Sequence, residues 1–131
     1  PPGDQTAEGA VPGVVQRCAD QLRAYFSGDM RAFDVPLALT GTSFQQRVWA
    51  ALRDIPFGET RTYSAIARAL GDVNAVRAVG VANAQNPVAI VVPCHRVVGQ
   101  DGALVGYAGG LWRKELLLAH EGYPVQRRLF P

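Results

Sequence analysis

At 131 residues, 48% of them hydrophobic and 18% charged, the chain can form one compact domain with a small appendage and is too apolar to be disordered throughout. No stretch is long enough to cross a membrane. Two cysteines far apart in sequence, without a CxxC pair or a secretory h-region, indicate a reducing compartment and give no zinc signature. The net charge of +2 is unevenly placed, with three bases against five acids in residues 1 to 40 and ten bases against six acids in residues 41 to 131. The larger part therefore permits a polyanionic partner without requiring one.

Residues 1 to 13 are Pro/Gly-rich and read as a flexible leader. From Val14 to Phe26 the apolar positions Val14, Val15, Cys18, Leu22, Tyr25 and Phe26 fall at helical spacing, and Ser27-Gly28 ends the helix. Cys18 lies on that stripe and is structural. Phe33, Val35, Leu37 and Leu39 alternate as a strand does, with Pro36 on the opposite phase marking an edge, although the sequence supplies little sheet for it to join. Thr42 with Gln45 is a capping box opening a helix whose inner face is Phe44, Val48, Leu52 and Ile55. Pro56-Phe57-Gly58 stops it, and Trp49 either packs with that face or serves as an exposed stacking ring.

A short helix follows from Tyr63 to Leu70, with Thr62 as cap and Gly71 past its end, and Asn74 can cap another through Ala84. Helix, short turn with glycine, helix is the helix-turn-helix pattern. In the second of these, Val76 and Val79 supply an inward stripe, while the remainder includes Arg77, Ala78, Gly80, Val81, Ala82 and Ala84. A glycine inside a helix costs about 1 kcal/mol relative to alanine. Close packing on a neighbouring helix accounts for the small residues as well as close approach to another molecule does, but it leaves the arginine unexplained. Without a set of bulky polar readers, nucleic-acid contacts here would go to backbone and shape.

Val88 to Val92 is a β-branched run bounded by Pro87 and Pro93, which predicts a buried strand delivering Cys94 to its end. A lone cysteine after such a run more often packs the core. Here Asn86 precedes the run and His95 and Arg96 follow the thiol, polar groups that a structural strand end does not need. A thiol of ordinary pKa, about 8.5, needs a base or a positive charge to act near neutral pH. Either His95 or Arg96 could supply it. Val97-Val98 and Ala103-Leu104-Val105 around Gly99-Gln100-Asp101-Gly102 fit a hairpin. Gly106-Tyr107-Ala108-Gly109-Gly110 is either an ordinary flexible loop or one that approaches a flat ligand. A last helix runs from Leu111 to about Glu121, ended by Gly122, with Leu116, Leu117 and Ala119 toward its buried side. Glu121 opposes the helix dipole there, so it is either solvated or paired with a donor such as an imidazole.

The stretch Asn86-Pro87-Val88-Ala89-Ile90-Val91-Val92-Pro93-Cys94-His95-Arg96-Val97-Val98-Gly99 resembles the active-site signature of the O6-alkylguanine-DNA alkyltransferases, the methylated-DNA-protein-cysteine methyltransferases. Matching blocks are Phe44 to Trp49, Ile55 to Thr60, Arg77 to Gly80, Gly106 to Leu111 and Leu117 to Gly122, covering residues 42 to 122. The resemblance implies an α+β, mostly helical fold: a helix-turn-helix, winged-helix-like DNA-binding domain with a short strand and hairpin at the active site. Residues 1 to 40 would be leader plus the remnant of an N-terminal domain, residues 41 to 122 the catalytic domain and residues 123 to 131 a tail.

By that resemblance Cys94 accepts the alkyl group from guanine O6, and His95 takes the thiol proton through a water. Glu121 orients His95, Asn86 braces the turn, and Tyr63 contacts phosphate and protonates the departing guanine. Arg77 enters the duplex in place of the extruded base. Ala78, Gly80, Val81 and Ala84 lie against the minor groove, and Tyr63 and Arg96 also contact DNA. Tyr107, Ala108, Gly109 and Gly110 wall the base pocket, with Val97 and Ala89 adding apolar surface. The implied activity is a self-inactivating transfer, because a thioether is not hydrolysed, with no metal or cofactor. The implied partner is double-stranded DNA containing alkylated guanine, bound by a monomer away from any membrane, in a bacterial cytoplasm near the nucleoid or in a eukaryotic nucleus. Two departures stand out: little of the N-terminal sheet is present, and Ala108 occupies a position where many members have serine. The rival readings are a non-catalytic binder of alkylated bases, which would lack the cysteine, and a Cys-His hydrolase, which would turn over.

Overall fold

The computed structural model describes residues 12–107 and 110–123, which divide into two units, Pro1–Ala38 and Leu39–Pro131. Residues 1–11, most of the expected leader, and the expected tail beyond Tyr123 lie outside the described residues. The first unit is helix α1, Pro12–Ser27, followed by an extended segment. The helix starts at the proline itself, whose missing N–H costs nothing in a first helical turn. Gly28, at φ 88°, ends it. The predicted strand at residues 33–39 does not form. Exposure does alternate there, with Val35 buried and Asp34 and Pro36 outward, but the segment has no ladder partner among the described residues. It is held instead by side chains: Gln21 hydrogen-bonds Asp34 through both its side chain and its backbone N–H, and Phe33 packs on Tyr25. Alternation reports which side is covered, and a sheet needs a second strand as well.

The second unit opens with helix α2, Ser43–Arg53, on the expected capping box: Thr42 Oγ1 accepts from Gln45 N at 3.0 Å, and Gln45 Oε1 accepts from Thr42 N at 2.8 Å. Val48, Trp49 and Leu52 face inward with Ile55 beyond the helix end. Each such aliphatic side chain contributes on the order of 1.5–3 kcal/mol when fully buried. The buried Trp49 donates Nε1–H to Ala82 O at 3.0 Å, so its role is packing and not exposed stacking. The backbone at Gly41 crosses that indole, and a Cβ there would stand 2.7 Å from the ring.

Strand β1, Arg61–Thr62, leads directly into α3, Tyr63–Ala69, and after a turn comes α4, Val76–Ala84. Thr62 caps α3 by accepting from Ala65 N at 3.0 Å. The expected Asn74 cap does not form. Asp72 takes the turn, accepting Asn74 N–H on Oδ1 and Ala75 N–H on its carbonyl, so α4 starts without a side-chain cap. α3 and α4 form the helix-turn-helix. The predicted hairpin is replaced by a different pairing: strand β2, Val97–Val98, runs parallel to β1, with Arg61 opposite Val97 and Thr62 opposite Val98. Gly99 to Ala103 folds as a tight turn closed by Gly99 N to Ala103 O at 2.7 Å, and residues 103–105 find no ladder. The short parallel pair sets Tyr63 at the start of α3 beside the segment that follows Cys94. The last helix, α5, Leu111–His120, buries Lys114, Leu117 and Leu118, while Leu116 and Ala119 face outward, contrary to expectation. A lysine on the inner phase conceals the true 3.6-residue stripe from a reading by hydrophobicity. No helix among the described residues is long and apolar enough to cross a membrane.

Candidate active site

Cys94 does not end a strand. Residues 88–92 form overlapping turns with only an isolated bridge between Ala89 and Val92, and Ile90 holds φ 76°, an unusual value for a β-branched residue. The two prolines and Asn86 explain the difference. Asn86 accepts Val88 N–H at 3.0 Å and donates Nδ2–H to Val92 O at 2.7 Å, closing a loop that a ladder would have left open. Val92 N returns to Val88 O, and Cys94 N bonds Val92 O at 2.8 Å. Cys94, His95 and Arg96 then form one short 3-10 turn. The Asn86 side chain thus braces, through the backbone, the turn that carries Cys94.

Behind that turn lies a buried charge network. Glu121 Oε2 stands 2.7 Å from His95 Nε2 and 2.8 Å from Arg96 Nη2, and its Oε1 accepts from Arg96 Nε at 2.9 Å and Gly58 N at 3.2 Å. Arg96 Nη1 also donates to Ile55 O at 2.6 Å. A carboxylate only accepts, so His95 carries its proton on Nε2. Burial holds the imidazole below its ordinary pKa, against the opposing pull of Glu121, and the ring is therefore neutral. Its Nδ1 is a buried lone pair without a hydrogen-bond partner among the described residues. A neutral imidazole with one nitrogen fixed on a carboxylate and the other free is a base poised to take a proton.

Cys94 is 6% exposed. Burial pushes its thiol pKa up, while the Asn86 and Tyr107 side chains and the Lys114 amine favour the thiolate. Burial and the neighbouring cysteine raise the hydroxyl pKa of both Tyr63 and Tyr107. Both phenols therefore stay protonated near neutral pH. Tyr63 Oη lies 3.0 Å from Val105 O and 3.3 Å from Gly106 O, and Lys114 Nζ donates to the same Val105 carbonyl at 3.0 Å. The Lys114 amine sits 5.7 Å from the Tyr63 ring centre, and burial lowers its pKa to about 8.

Of the residues singled out from sequence, Cys94, His95, Glu121, Asn86, Tyr63 and Tyr107 converge on this site. Arg96 does not belong on a DNA-facing surface: it is buried, with its guanidinium fixed on Glu121 and Ile55. Val97 is completely buried and backs the turn without lining an opening, whereas Ala89 is exposed. Gly110 starts α5 at φ 100°, and Ala108 and Gly109 lie outside the described residues. Arg77, Ala78, Val81 and Ala84 share the outward face of α4, opposite Val79, Ala82 and Asn83. An added Cβ at Gly80 would meet only the Tyr63 ring, at 3.9 Å, so nothing within the protein requires glycine there. Sequence reasoning missed Lys114 and Asn83. A lysine with alternate long neighbours reads as a solvated helix face, and a single asparagine near a helix end reads as a cap.

Residues 43–123 match the family model for the DNA-binding domain of 6-O-methylguanine DNA methyltransferase. The chain is 57% identical over 110 residues to the methylated-DNA--protein-cysteine methyltransferase of Mycobacterium tuberculosis, covering 84% of this chain and 67% of that protein. It is 60% identical over 102 residues to the protein of the same name from Methanosarcina acetivorans, covering 78% of this chain and 65% of the relative. The chain thus spans about two thirds of the length of these relatives. Among solved structures, Mycobacterium tuberculosis OGT in complex with DNA superposes with a TM-score of 0.81 at 54% identity, over 90% of this chain and 75% of that one.

Proposed function

Because the chain belongs to the 6-O-methylguanine DNA methyltransferase family, we propose that it repairs duplex DNA by moving the alkyl group of O6-alkylguanine, chiefly methyl, onto its own Cys94. The observation that carries this reading is the buried relay from Glu121 through His95 to an unfilled Nδ1 on the residue next to Cys94. His95 Nδ1 takes the thiol proton, through a water, because side chains adjacent in sequence do not face one another squarely. The thiolate then attacks the alkyl carbon: the S–C bond forms as the C–O6 bond breaks, and its electron pair goes to the guanine. Tyr63 gives its proton to that poor leaving group, and the Tyr107 ring walls the pocket. The thiolate and the alkyl carbon are complete reactants, so the transfer needs no metal or cofactor. The product is a thioether that water cannot hydrolyse, and each molecule acts once.

The outward face of α4 is the surface for DNA. Ala78, Val81 and Ala84 are small or compact, Gly80 adds no bulk, and Arg77 projects from the same exposed side. Such a face fits a minor groove, with the guanidinium filling the space of an extruded nucleotide, whose flipping costs a few kcal/mol and less for a poorly paired base. The protein works as a monomer on chromosomal DNA, in the cytoplasm at the nucleoid.

The test is intact mass after incubation with duplex DNA bearing O6-methylguanine. One methyl group appears on wild-type protein, mapped to Cys94, and uptake then stops. Cys94→Ala gains nothing and still binds DNA. Absence of methyl on the wild type would indicate a binder, and continuing consumption of substrate a hydrolase.

A further inference from the structure

Lys114 is completely buried on the inner face of α5, and its amine donates to Val105 O at 3.0 Å. No carboxylate among the described residues pairs with it, so the cost of burying a cation is not offset by an opposite charge. A methionine has nearly the same length and would fill the space without that cost. The carbonyl that Lys114 serves already has a donor. Tyr63 Oη also stands 3.0 Å from Val105 O, with Gly106 O further off at 3.3 Å. Residues 103–105 join no ladder among the described residues, and Val105 and Gly106 are exposed. The two side chains therefore supply the hydrogen bonds that tie this stretch to α3 and α5, just before Tyr107.

Two donors on one carbonyl are redundant at rest. A hydroxyl carries a single hydrogen, and in the transfer described above Tyr63 gives that hydrogen to the departing guanine, so it cannot go on donating to Val105 O. The amine can. It has three N–H donors when charged and keeps two when neutral, so its lowered pKa of about 8 leaves the contact intact in either state. We propose that Lys114 is a positioning residue: it retains the Val105 carbonyl while the Tyr63 hydroxyl changes partner, and so keeps Tyr107, two residues further on, in place through the transfer. This inference rests on the repair reading above. The two donors stand on different helices, Tyr63 at the start of α3 and Lys114 on α5, so the release of one does not carry the other away.

The test has one arm on the free protein and one on the transfer. In the free protein either donor suffices, so chymotrypsin cleavage after Leu104, mapped by mass spectrometry, rises less than about threefold in Lys114→Met or Tyr63→Phe and at least about tenfold in the double variant. With duplex DNA bearing O6-methylguanine, Lys114→Met slows single-turnover transfer at saturating DNA about tenfold, the worth of one hydrogen bond from a charged donor. Neither its Kd for DNA nor its Tm worsens, which separates positioning from a general loss of structure. Lys114→Gln keeps an N–H donor without the charge and recovers part of the rate. Should the methionine variant not fold, Lys114→Leu is read in its place. A methionine variant as fast as wild type, a glutamine variant no faster than the methionine one, or a double variant cleaved no faster than the single ones would each overturn the inference. So would Lys114→Met cleaved as fast as the double variant, because Lys114 would then be the sole support of the loop at all times. If wild-type protein takes up no methyl, the repair reading itself fails and takes this inference with it, whatever the cleavage arm shows.

Discussion

Glu121→Gln removes one negative charge from the interior and strands a positive one. In the wild type the carboxylate serves His95, both Arg96 Nε and Nη2, and Gly58 N, all within 3.2 Å. An amide keeps one acceptor oxygen and turns an NH2 toward donors that cannot use it. Arg96, 6% exposed, then keeps Ile55 O and at most the single amide oxygen as acceptors, and has no counter-charge in this cluster. Removing one member of a buried ion pair costs about 3–5 kcal/mol, and in a domain of this size each kcal/mol moves Tm by roughly 3–5 °C. The expected drop is therefore on the order of 10–20 °C, read by circular dichroism on heating. Glu121→Gln with Arg96→Met should recover a large part of it, because the stranded guanidinium is gone. Methyl transfer falls roughly a hundredfold in the single variant, since His95 loses the partner that fixes its tautomer. A drop below about 3 °C, or a double variant no more stable than the single one, would show that the charge network is not what holds the turn.

Arg77→Ala should slow transfer from duplex DNA at least tenfold more than transfer from a free O6-alkylguanine base; equal losses would remove Arg77 from base extrusion. Lys114 has a folded pKa of about 8 against 10.5 in the unfolded chain, so between those values the unfolded state holds more protons and stability rises with pH. Urea melts of wild type and Lys114→Met should show the wild type gaining up to about 3 kcal/mol on the variant from pH 8 to pH 10; parallel curves would contradict the burial of a charged amine. Trp49→Phe loses the hydrogen bond to Ala82 O and should cost about 1 kcal/mol in a denaturant melt, with transfer rate unaffected.

Where local chemistry decided the outcome, the sequence was readable. The Thr42/Gln45 box, the Thr62 cap and the glycine after α3 each close a hydrogen bond within a few residues, and all three stand in the structure. The site residues came into view through the Pro-Cys-His-Arg motif and its companion blocks, because no spacing rule joins His95 to a carboxylate 26 positions away. Legibility failed where a long-range partner set the conformation. Val88 to Val92 has strand composition, yet Asn86 bends it into turns; Val97-Val98 pairs with a segment 36 residues earlier instead of with its neighbour. Arg96 looked like a surface cation because nothing near it in sequence neutralises it, and its acid lies on the far side of α5 in the chain.

The raised pKa of Cys94 has a bearing on economy of use. A protein that can react only once must not be wasted on stray oxidants or small electrophiles in its surroundings, and those attack sulfur chiefly in its ionised form. Burial keeps that form scarce at rest. On the repair reading proposed above, the sulfur would be held in reserve, protected by the same desolvation that would otherwise count as a handicap, until a lesion is presented to it.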